Sequence, residues 1–119
     1  MQKIILIVDD QNKLRTIYKK ALLLNQYEVL EAVNAKTAVD ILSEHKDIDL
    51  VLLDINMPEL DGVALYEWIR RLKHRAKVIV TSAYLIVEQR KMIADADDYY
   101  DKSHSIEELI EKIRKAIGE

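Results

Sequence analysis

The residues of this chain that could carry out chemistry lie in four short polar stretches, Asp9-Asp10, Asp54, Thr81-Ser82 and Lys102. Each lies just after a short apolar run, and the run before Lys102, Tyr99-Tyr100, is the weakest. If these runs are parallel strands, the four stretches meet at one edge of a sheet, because parallel strands end at the same edge. The pocket would then hold three carboxylates, hydroxyl groups and an ammonium group. Such a set suits a divalent metal ion and a phosphoryl group, with one carboxylate as the phosphoryl acceptor.

The three carboxylates are the strongest part of this pattern. Like charges a few ångströms apart repel by roughly 4 kcal/mol per pair at an effective dielectric constant near 20. A cluster of Asp9, Asp10 and Asp54 therefore requires raised pKa values or a cation. Hard oxygen ligands at a half-exposed site favour Mg²⁺. The alternative is that each aspartate caps the helix after its strand and that the sites never touch.

The hydroxyl and ammonium groups are weaker signals on their own. Thr81-Ser82 ends an apolar run, where a hydroxyl group could donate to a phosphoryl oxygen or equally cap the next helix. Lys102 could supply a balancing positive charge, although a single lysine is most often a solvated surface residue. A functional role for these residues is favoured over a helix cap or a surface lysine only because they lie at strand ends together with the aspartates.

The elements that must position these residues alternate along the chain. Apolar runs predict strands at residues 3–8, 27–32, 49–53, 77–81 and 97–101, and a helix follows each of them. Five strands alternating with five helices predict an α/β fold, a doubly wound five-stranded parallel sheet of order 2-1-3-4-5. Ligands bind where the strand order reverses, here between the strands that end at Val8 and Leu53.

The spacing of apolar residues predicts which helical residues face the core. The first helix should bury Leu14, Ile17, Tyr18, Ala21 and Leu22. The third helix, after a loop that contains Pro58 and Gly62, should bury Leu65, Tyr66, Ile69 and Leu72. Asn34 should cap the second helix, and Ser105 with Glu108 should form a capping box at the last one.

The composition excludes several functions. The 119 residues are half apolar, carry a formal net charge of -3 and include no cysteine, which excludes disulfides and thiolate metal sites. The chain has no apolar run of about 18 residues, so we expect no membrane span. It also has no strongly basic face, so we expect no direct contact with nucleic acid. His45, His74 and His104 have no metal-ligand spacing and are interpreted as surface residues. We expect one domain over residues 1–119 and a cytoplasmic location.

Longer motifs around the polar stretches resemble one family. They are Ile-Val-Asp-Asp-Gln at 7–11, Leu-Leu-Asp-Ile-Asn-Met-Pro-Glu-Leu-Asp-Gly at 52–62, Val-Thr-Ser-Ala-Tyr at 80–84 and Ala-Asp-Asp-Tyr-Tyr-Asp-Lys at 96–102. The chain resembles the receiver domain of bacterial two-component response regulators over its whole length, and especially the single-domain sporulation phosphorelay regulators. The resemblance implies the flavodoxin-like form of the fold predicted above.

The resemblance also implies a role for individual residues. Asp54 matches the phosphoryl acceptor, and Lys102 matches the residue that pairs with the bound phosphoryl group. The Mg²⁺ ligands would be Asp54, Asp10 directly, Asp9 mostly through water, and the main-chain carbonyl of Asn56. Ser82, rather than Thr81, matches the switch hydroxyl group because it directly precedes Ala83. Tyr99 matches an aromatic switch residue that turns inward after phosphorylation, and Gly62 fits the turn before the third helix.

The implied partner is a histidine kinase or a histidine phosphotransferase whose phosphohistidine donates to Asp54. The predicted partner-binding residues are Gln11, Leu14, Arg15, Tyr18 and Tyr84. Asn56 and Tyr84 also match positions that tune the phosphoryl lifetime in the family. Some relatives dimerise after phosphorylation through charged positions that Asp97, Asp98 and Arg114 resemble. The implied role is a signalling phospho-acceptor, which assists its own phosphorylation and dephosphorylation, and not an enzyme.

The chain departs from the family pattern at three turns. Ser103 follows Lys102 where most members have proline, often in a cis bond; a cis bond without proline costs roughly 2.5–4 kcal/mol, so a trans or more mobile loop is expected. Asp95 and Gln26 stand where glycine is common. Tyr100 and Asp101 replace the usual apolar pair, which predicts a last strand that is more exposed or meets a partner.

Three other functions compete with this interpretation. A phosphatase-like hydrolase would also form an aspartyl phosphate, but such enzymes place a second aspartate where this chain has Asn56. A flavodoxin-like binding module would need a phosphate-cradling loop after the first strand, where this chain has two acids. A degenerate receiver used only for protein contact is supported solely by the altered residue after Lys102.

Overall fold

The computed structural model describes residues 2–57, 60–72 and 74–119. Its central sheet has five strands: β1 (Ile4–Val8), β2 (Glu28–Ala32), β3 (Leu50–Asp54), β4 (Lys77–Ser82) and β5 (Asp98–Asp101). Every neighbouring pair is parallel, and the order is β2-β1-β3-β4-β5. The helices are α1 (Asn12–Leu24), α2 (Ala35–Glu44), α3 (Gly62–Arg71), α4 (Ile86–Met92) and α5 (Ile106–Ala116). The predicted doubly wound α/β fold is confirmed.

The segment between β3 and α3 differs from the loop that the sequence predicts. Asn56–Met57 pairs in antiparallel fashion with Leu60–Asp61, which makes a short ribbon. Pro58, which the sequence analysis assigns to this loop, lies outside the described residues, as does Glu59, whereas Gly62 is the first residue of α3. The ribbon brings the chain back beside the end of β3, so that α3 starts against the backbone of Asp54 and Ile55.

The core consists of two apolar layers, one on each face of the sheet. Because side chains alternate along a strand, Leu6 and Val8 of β1 join α2 and α3 on one face, whereas Ile5 and Ile7 join α1 and α5 on the other. The three central strands are thus buried on both sides, and each fully buried Leu, Ile or Val contributes about 1.5–3 kcal/mol. These layers hold the strand ends, and with them the site, in a fixed geometry.

The helix predictions are mostly confirmed, with two exceptions. Tyr18 and Leu22 are buried, but Ile17 is 53% exposed. The face of α1 that packs on the sheet includes Arg15 in place of Ile17. Leu72 is also exposed, since α3 ends one residue before it.

Both predicted helix caps are present, although the capping box is incomplete. The side chain of Asn34 accepts a hydrogen bond from the Thr37 N–H, 2.8 Å away. The hydroxyl of Ser105 accepts from the Glu108 N–H at 3.2 Å. The Glu108 carboxylate instead approaches the imidazole of His104, with an Nδ1 to Oε2 distance of 2.6 Å.

The last strand is less exposed than its polar sequence predicts. Tyr100 is 1% exposed and Asp101 is 4% exposed, so the expectation of an exposed strand is wrong. The alternative, that this edge strand meets a partner, stays a prediction. The Tyr100 ring packs in the layer of α1 and α5, and its hydroxyl donates to the carbonyl oxygens of His104 and Ser105. Polar atoms can be buried here because hydrogen bonds within the chain replace those to water.

The turn between α1 and β2 contains a residue in the left-handed region. Gln26 has a φ of 68°, and the Gln26 and Tyr27 N–H groups donate to the carbonyl oxygens of Leu23 and Leu22. This is a Schellman motif, whose left-handed position glycine usually occupies. Its apolar contact is present as well, since Tyr27 and Leu22 lie in one core layer.

We expect Gln26→Gly to raise the free energy of unfolding by about 0.5–1 kcal/mol. The left-handed conformation costs a residue with a Cβ roughly 1–2 kcal/mol, and the greater freedom of glycine in the unfolded chain offsets part of the gain. Urea unfolding measures the change. Gln26→Ala is the control, because it removes the side chain but keeps the Cβ; an equal gain from alanine would contradict this explanation.

No helix in the described part of the chain has the length and apolar character needed to span a membrane.

Candidate functional site

Parallel pairing brings the four polar stretches to one edge of the sheet. Val8 pairs with Leu53, Asp54 with Thr81, and Ser82 with Asp101. The residues that end or directly follow these strands therefore emerge side by side. The prediction that they converge is thus confirmed for the described residues.

Three carboxylates form the floor and rim of the site. Asp9, Asp10 and Asp54 each offer an oxygen atom, and these atoms lie within 4.8 Å of one another. Asp9 and Asp54 are 1% exposed, whereas Asp10 is exposed. Asp9 Oδ1 accepts a hydrogen bond from the Gln11 N–H at 2.8 Å, and Asp54 Oδ1 accepts one from the Asn56 N–H at 2.9 Å. These bonds fix one oxygen of each buried carboxylate.

Lys102 approaches the other oxygen of each buried carboxylate. Its Nζ lies 2.9 Å from Asp9 Oδ2 and 3.2 Å from Asp54 Oδ2. Both oxygens are buried, and neither accepts a hydrogen bond of normal geometry within the described residues. One ammonium group thus contacts two of the three carboxylates. The remaining negative charge and the incompletely satisfied oxygens fit a hard divalent cation such as Mg²⁺.

Burial raises the pKa of the Asp54 carboxyl above its usual range. The Asn56 N–H and the Lys102 ammonium lower this pKa, and the Asp9 carboxylate raises it, but the loss of solvation is the largest effect. Burial therefore opposes ionisation of Asp54 in the folded domain.

We expect Asp54→Asn to raise the free energy of unfolding at pH 7.5 by about 1–3 kcal/mol, because the cost of burying the Asp54 charge is removed, and with it the repulsion from Asp9. Since burial raises the pKa of Asp54, its carboxyl stabilises the fold when protonated, below its unfolded pKa of about 3.9. That contribution is lost as the pH rises through the folded-state pKa.

The gain from Asp54→Asn should therefore be small near pH 4.5 and larger at pH 7.5. Urea unfolding at the two pH values measures it. Asp10→Asn is the matched control and should gain less, because Asp10 is exposed. A gain from Asp54→Asn that is the same at both pH values would contradict the assignment to ionisation.

Two of the predicted partner-binding residues are buried. Arg15 is 9% exposed, and its Nη1 donates to the carbonyl oxygen of Asp9 at 2.8 Å. The same guanidinium pairs with Glu31 on β2, with an Nε to Oε1 distance of 3.3 Å, and contacts the side chain of Asn12. Arg15 thus supports the backbone of Asp9 and does not offer a surface to a partner.

Tyr18 is the second of these buried residues. It is 3% exposed and packs in the layer of α1 and α5. Burial raises the pKa of its hydroxyl, and so do the nearby groups Tyr100, Asp9 and Asp54. By contrast, Gln11 is exposed, Leu14 is half-buried and Tyr84 is 48% exposed, so these three remain accessible.

Ser82 lies at the end of β4 and is fully buried. Its hydroxyl donates to the side-chain oxygen of Asn56 and accepts from the Tyr84 N–H at 3.0 Å. Thr81, the neighbouring hydroxyl residue, is 2% exposed. The predicted switch hydroxyl is thus held between the ribbon after β3 and the loop before α4.

Tyr99 already points into the protein. It is 1% exposed, and its hydroxyl donates to the Ile93 carbonyl oxygen at 2.6 Å. The guanidinium carbon of Arg90 lies 4.5 Å from the centre of its ring. Tyr99 therefore already occupies the inward position that the resemblance implies for the phosphorylated state.

The sequence gives no signal for one buried polar residue near the switch loop. Gln89 on α4 is fully buried, and its Nε2 donates to the carbonyl oxygens of Tyr84 at 2.9 Å and of Tyr100 at 3.0 Å. It therefore links α4, β5 and the loop after Ser82. A glutamine in a polar helical segment looks like a surface residue, and only the packing of α4 shows otherwise.

The last strand also ends in an ordered turn. The peptide N–H of Lys102 donates to the Ser82 carbonyl oxygen at 2.9 Å. The described residues contain no cis peptide bond, which agrees with the trans bond expected between Lys102 and Ser103. Asp101 and Ser103 are joined by hydrogen bonds, so the turn is not the loose loop that the absence of proline allows.

The chain matches known sequences along most of its length. The family model of the response regulator receiver domain matches residues 5–114. Chemotaxis protein CheY of Bacillus subtilis is 36% identical over 120 residues, which cover 96% of this chain and 97% of that protein. The probable transcriptional regulator ycf27 of Cyanidium caldarium is 34% identical over 114 residues. This match covers 95% of the present chain but only 45% of ycf27.

Solved structures show the same fold. The CheY-like receiver domain protein from Methanospirillum hungatei JF-1 has a TM-score of 0.90 at 30% identity, over 99% of this chain and 95% of that one. Response regulator TrrA from Thermotoga maritima, in complex with Mg²⁺ and BeF, has a TM-score of 0.87 at 36% identity. The match covers 97% of this chain and 99% of that one. The chain therefore belongs to the response regulator receiver domain family, whose members act as phosphoryl acceptors in two-component signalling.

Proposed function

We propose that Asp54 is the phosphoryl acceptor of this receiver domain and that the donor is a phosphohistidine of a histidine kinase or histidine phosphotransferase. The observation that carries the proposal is Asp54 Oδ2. This oxygen is buried, lies 3.2 Å from the Lys102 ammonium and lacks a normal hydrogen bond within the described residues. It is thus a fixed nucleophile beside a positive charge.

In the proposed transfer a carboxylate oxygen of Asp54 forms a bond to phosphorus while the bond from phosphorus to the donor's imidazole nitrogen breaks. The imidazole keeps the electron pair of that bond. The transition state spreads negative charge over the phosphoryl oxygens, so the site needs positioned positive charge more than covalent chemistry. Lys102 supplies this charge at a distance that the sheet fixes.

A Mg²⁺ ion would be held by Asp9, Asp10, Asp54 and the main-chain carbonyl of Asn56. When bound, it supplies positive charge that offsets the repulsion between the carboxylates and the incoming phosphoryl oxygens. The 4.8 Å cluster of carboxylate oxygens and the complex of the relative TrrA with Mg²⁺ and BeF support this assignment.

Ser82 would provide the switch after transfer. Its hydroxyl would leave the Asn56 side chain and donate to a phosphoryl oxygen, because charged acceptors form stronger hydrogen bonds. The loop through Tyr84 would move with it, and Gln89 would carry this movement to α4 and β5. Such a switch is a two-state element that a local change of charge biases.

The donor would dock beside the exposed Asp10. Gln11, Leu14 and Tyr84 remain as proposed contacts because they are accessible, while Arg15 and Tyr18 are left out because they are buried. α1 carries only positive charges, so the donor surface should carry acidic residues.

The remaining parts of the proposal follow the resemblance. Residues 1–119 would act as one cytoplasmic receiver domain that assists its own phosphorylation without being a classical enzyme. Asn56 supports this over the hydrolase alternative, since an amide cannot act as a general acid as a second aspartate would. Dimerisation through Asp97, Asp98 and Arg114 has less support, because each of these side chains is engaged within the chain.

The experiment that tests the proposal is the intact mass of the protein after incubation with Mg²⁺ and acetyl phosphate. We expect one added phosphoryl group on the wild type, and none on Asp54→Asn or on the wild type with EDTA. Beryllofluoride binding in the presence of Mg²⁺, measured by NMR, detects the site even if hydrolysis of the phosphoryl group is fast. Absence of both signals in the wild type would overturn the proposal.

A further inference from the structure

Four hydrogen bonds hold the turn that follows β5 and contains Lys102. Asp101 Oδ1 accepts hydrogen bonds from the Ser103 N–H at 2.8 Å and from the Ser103 hydroxyl at 2.7 Å. The His104 N–H donates to the Asp101 carbonyl oxygen at 2.9 Å, which closes the turn. On the other side, the Lys102 N–H donates to the carbonyl oxygen of Ser82 at 2.9 Å. The backbone on both sides of Lys102 is therefore tied down.

The Asp101 carboxylate is the centre of this turn. Asp101 is 4% exposed, and its only hydrogen-bond donors within the described residues are both on Ser103. These two bonds lower the pKa of Asp101, so its carboxyl is ionised at neutral pH and each bond is charge-assisted. His104 Nε2 lies 3.6 Å from Asp101 Oδ2, at the outer side of the turn.

This anchoring matters because lysine has a long and flexible side chain. Four rotatable bonds separate the Lys102 backbone from its ammonium group, and a small change at the backbone is amplified at Nζ. The observed contacts need Nζ between two carboxylates, at 2.9 and 3.2 Å. Transfer rates are sensitive to such positions, since a misplacement of about 1 Å can cost about a hundredfold.

We infer that Asp101 and Ser103 are positioning residues that act through Lys102 by fixing the backbone from which its ammonium group reaches the phosphoryl site. The inference rests on the proposed function of Asp54 and Lys102. It assigns a role to a serine that stands directly after the lysine and to a buried acid that touches neither the carboxylate cluster nor the acceptor.

The competing explanation is that this turn only ends β5 and leads into α5. Ser105 caps α5 two residues later, so hydrogen bonds in this segment also have a purely structural use. The two explanations differ in what they predict for the phosphorylation rate. A structural role changes stability alone, whereas a positioning role changes the maximal rate and depends on the presence of Lys102.

The test compares the rate of phosphorylation by acetyl phosphate at saturating Mg²⁺ across four variants. Ser103→Ala removes one bond to Asp101, Asp101→Ala removes both, and Ser103→Thr keeps the hydroxyl group. Ser105→Ala is the matched control, because it removes a hydroxyl group that does not contact Asp101 or Lys102 within the described residues. The acetyl phosphate concentration is varied so that the maximal rate and the half-saturating concentration are obtained separately.

We expect the maximal rate to fall about tenfold in Asp101→Ala and less in Ser103→Ala. Ser103→Thr should restore most of the rate, and Ser105→Ala should keep the wild-type rate. The dissociation constant for Mg²⁺, measured by isothermal titration calorimetry, should stay within about twofold of the wild type, because the proposed Mg²⁺ ligands are not part of the turn.

A double-mutant cycle with Lys102→Met gives the decisive comparison. If Asp101 acts through Lys102, Asp101→Ala should cause no further loss of rate once Lys102 is replaced. An unchanged rate in Asp101→Ala and Ser103→Ala, or a loss that multiplies with that of Lys102→Met, would overturn the inference while wild-type phosphorylation at Asp54 stands. A wild type that accepts no phosphoryl group would overturn the proposed function, and this inference with it.

Discussion

Lys102→Met should lower the free energy of unfolding by about 3 kcal/mol at pH 7.5. The substitution keeps the shape of the side-chain stem but removes the ammonium group that lies 2.9 Å from Asp9 Oδ2 and 3.2 Å from Asp54 Oδ2. Breaking a buried ion pair from one side costs about 3–5 kcal/mol, because it leaves the partner charge uncompensated, and here two carboxylates lose their partner. Urea unfolding without divalent cations measures this loss.

The same variant should respond more strongly to Mg²⁺ than the wild type does. Without the ammonium group, its repulsion of a cation is gone, so Mg²⁺ should recover a large part of the lost stability as its concentration exceeds its dissociation constant. Phosphorylation by acetyl phosphate should nevertheless fall by at least about a hundredfold, since the fixed charge beside the acceptor oxygen is gone.

Lys91→Met serves as the control for Lys102→Met. The side chain of Lys91 is 69% exposed, and it pairs with Glu88 at 3.4 Å on the surface of α4. A surface pair of this kind contributes less than about 1 kcal/mol. If both variants lost the same stability, the carboxylate cluster would not depend on Lys102 for its balance of charge.

Gly62→Ala should have two effects at once: it should lower the free energy of unfolding by about 3 kcal/mol, and it should weaken Mg²⁺ binding. A Cβ atom at this position would lie 2.7 Å from the Cα of Ile55 and 2.9 Å from the carbonyl oxygen of Asp54. Both neighbours are backbone atoms of the segment that carries the acceptor, so a side-chain rotation cannot relieve the overlap. Overpacking of this kind costs about 1–3 kcal/mol and occasionally more.

Gly118→Ala provides the comparison, since it makes the same chemical change without the overlap. Gly118 has a φ of +81°, and a Cβ there would meet nothing within 4 Å. We expect a loss below about 2 kcal/mol, from the left-handed conformation alone, and no change in Mg²⁺ affinity. Equal Mg²⁺ affinity in wild type and Gly62→Ala would contradict the view that the start of α3 holds Asp54 in place.

The positions of Asp9, Asp54 and Lys102 were predictable because they depend on local signals. Each residue ends or directly follows a predicted strand, and a parallel sheet brings the ends of its strands to one edge whatever the details of helix packing. The sheet order then requires only that apolar runs alternate with helices and that the crossovers are right-handed. The caps at Asn34 and Ser105 are local in the same sense.

The face that each helix turns inward was harder to predict. In α1 the apolar residues spread over a broad arc, so the pattern places Ile17 in the core, whereas packing buries Arg15 instead. In this rotation the Arg15 guanidinium reaches two acceptors, the Asp9 carbonyl oxygen and the Glu31 carboxylate. Those acceptors lie on or after other strands, and helical periodicity carries no information about them.

The sequence by itself therefore determined the fold, the edge of the sheet where the chemistry lies and the acids and lysine that meet there. Only the tertiary structure decided which polar residues are buried as supports. Gln89, Asp101 and Arg15 all look like surface residues in the chain, yet each is buried where it hydrogen-bonds to groups near the site. A buried polar group is stable only when its partners are in place, and those partners are known only once the strands and helices have packed.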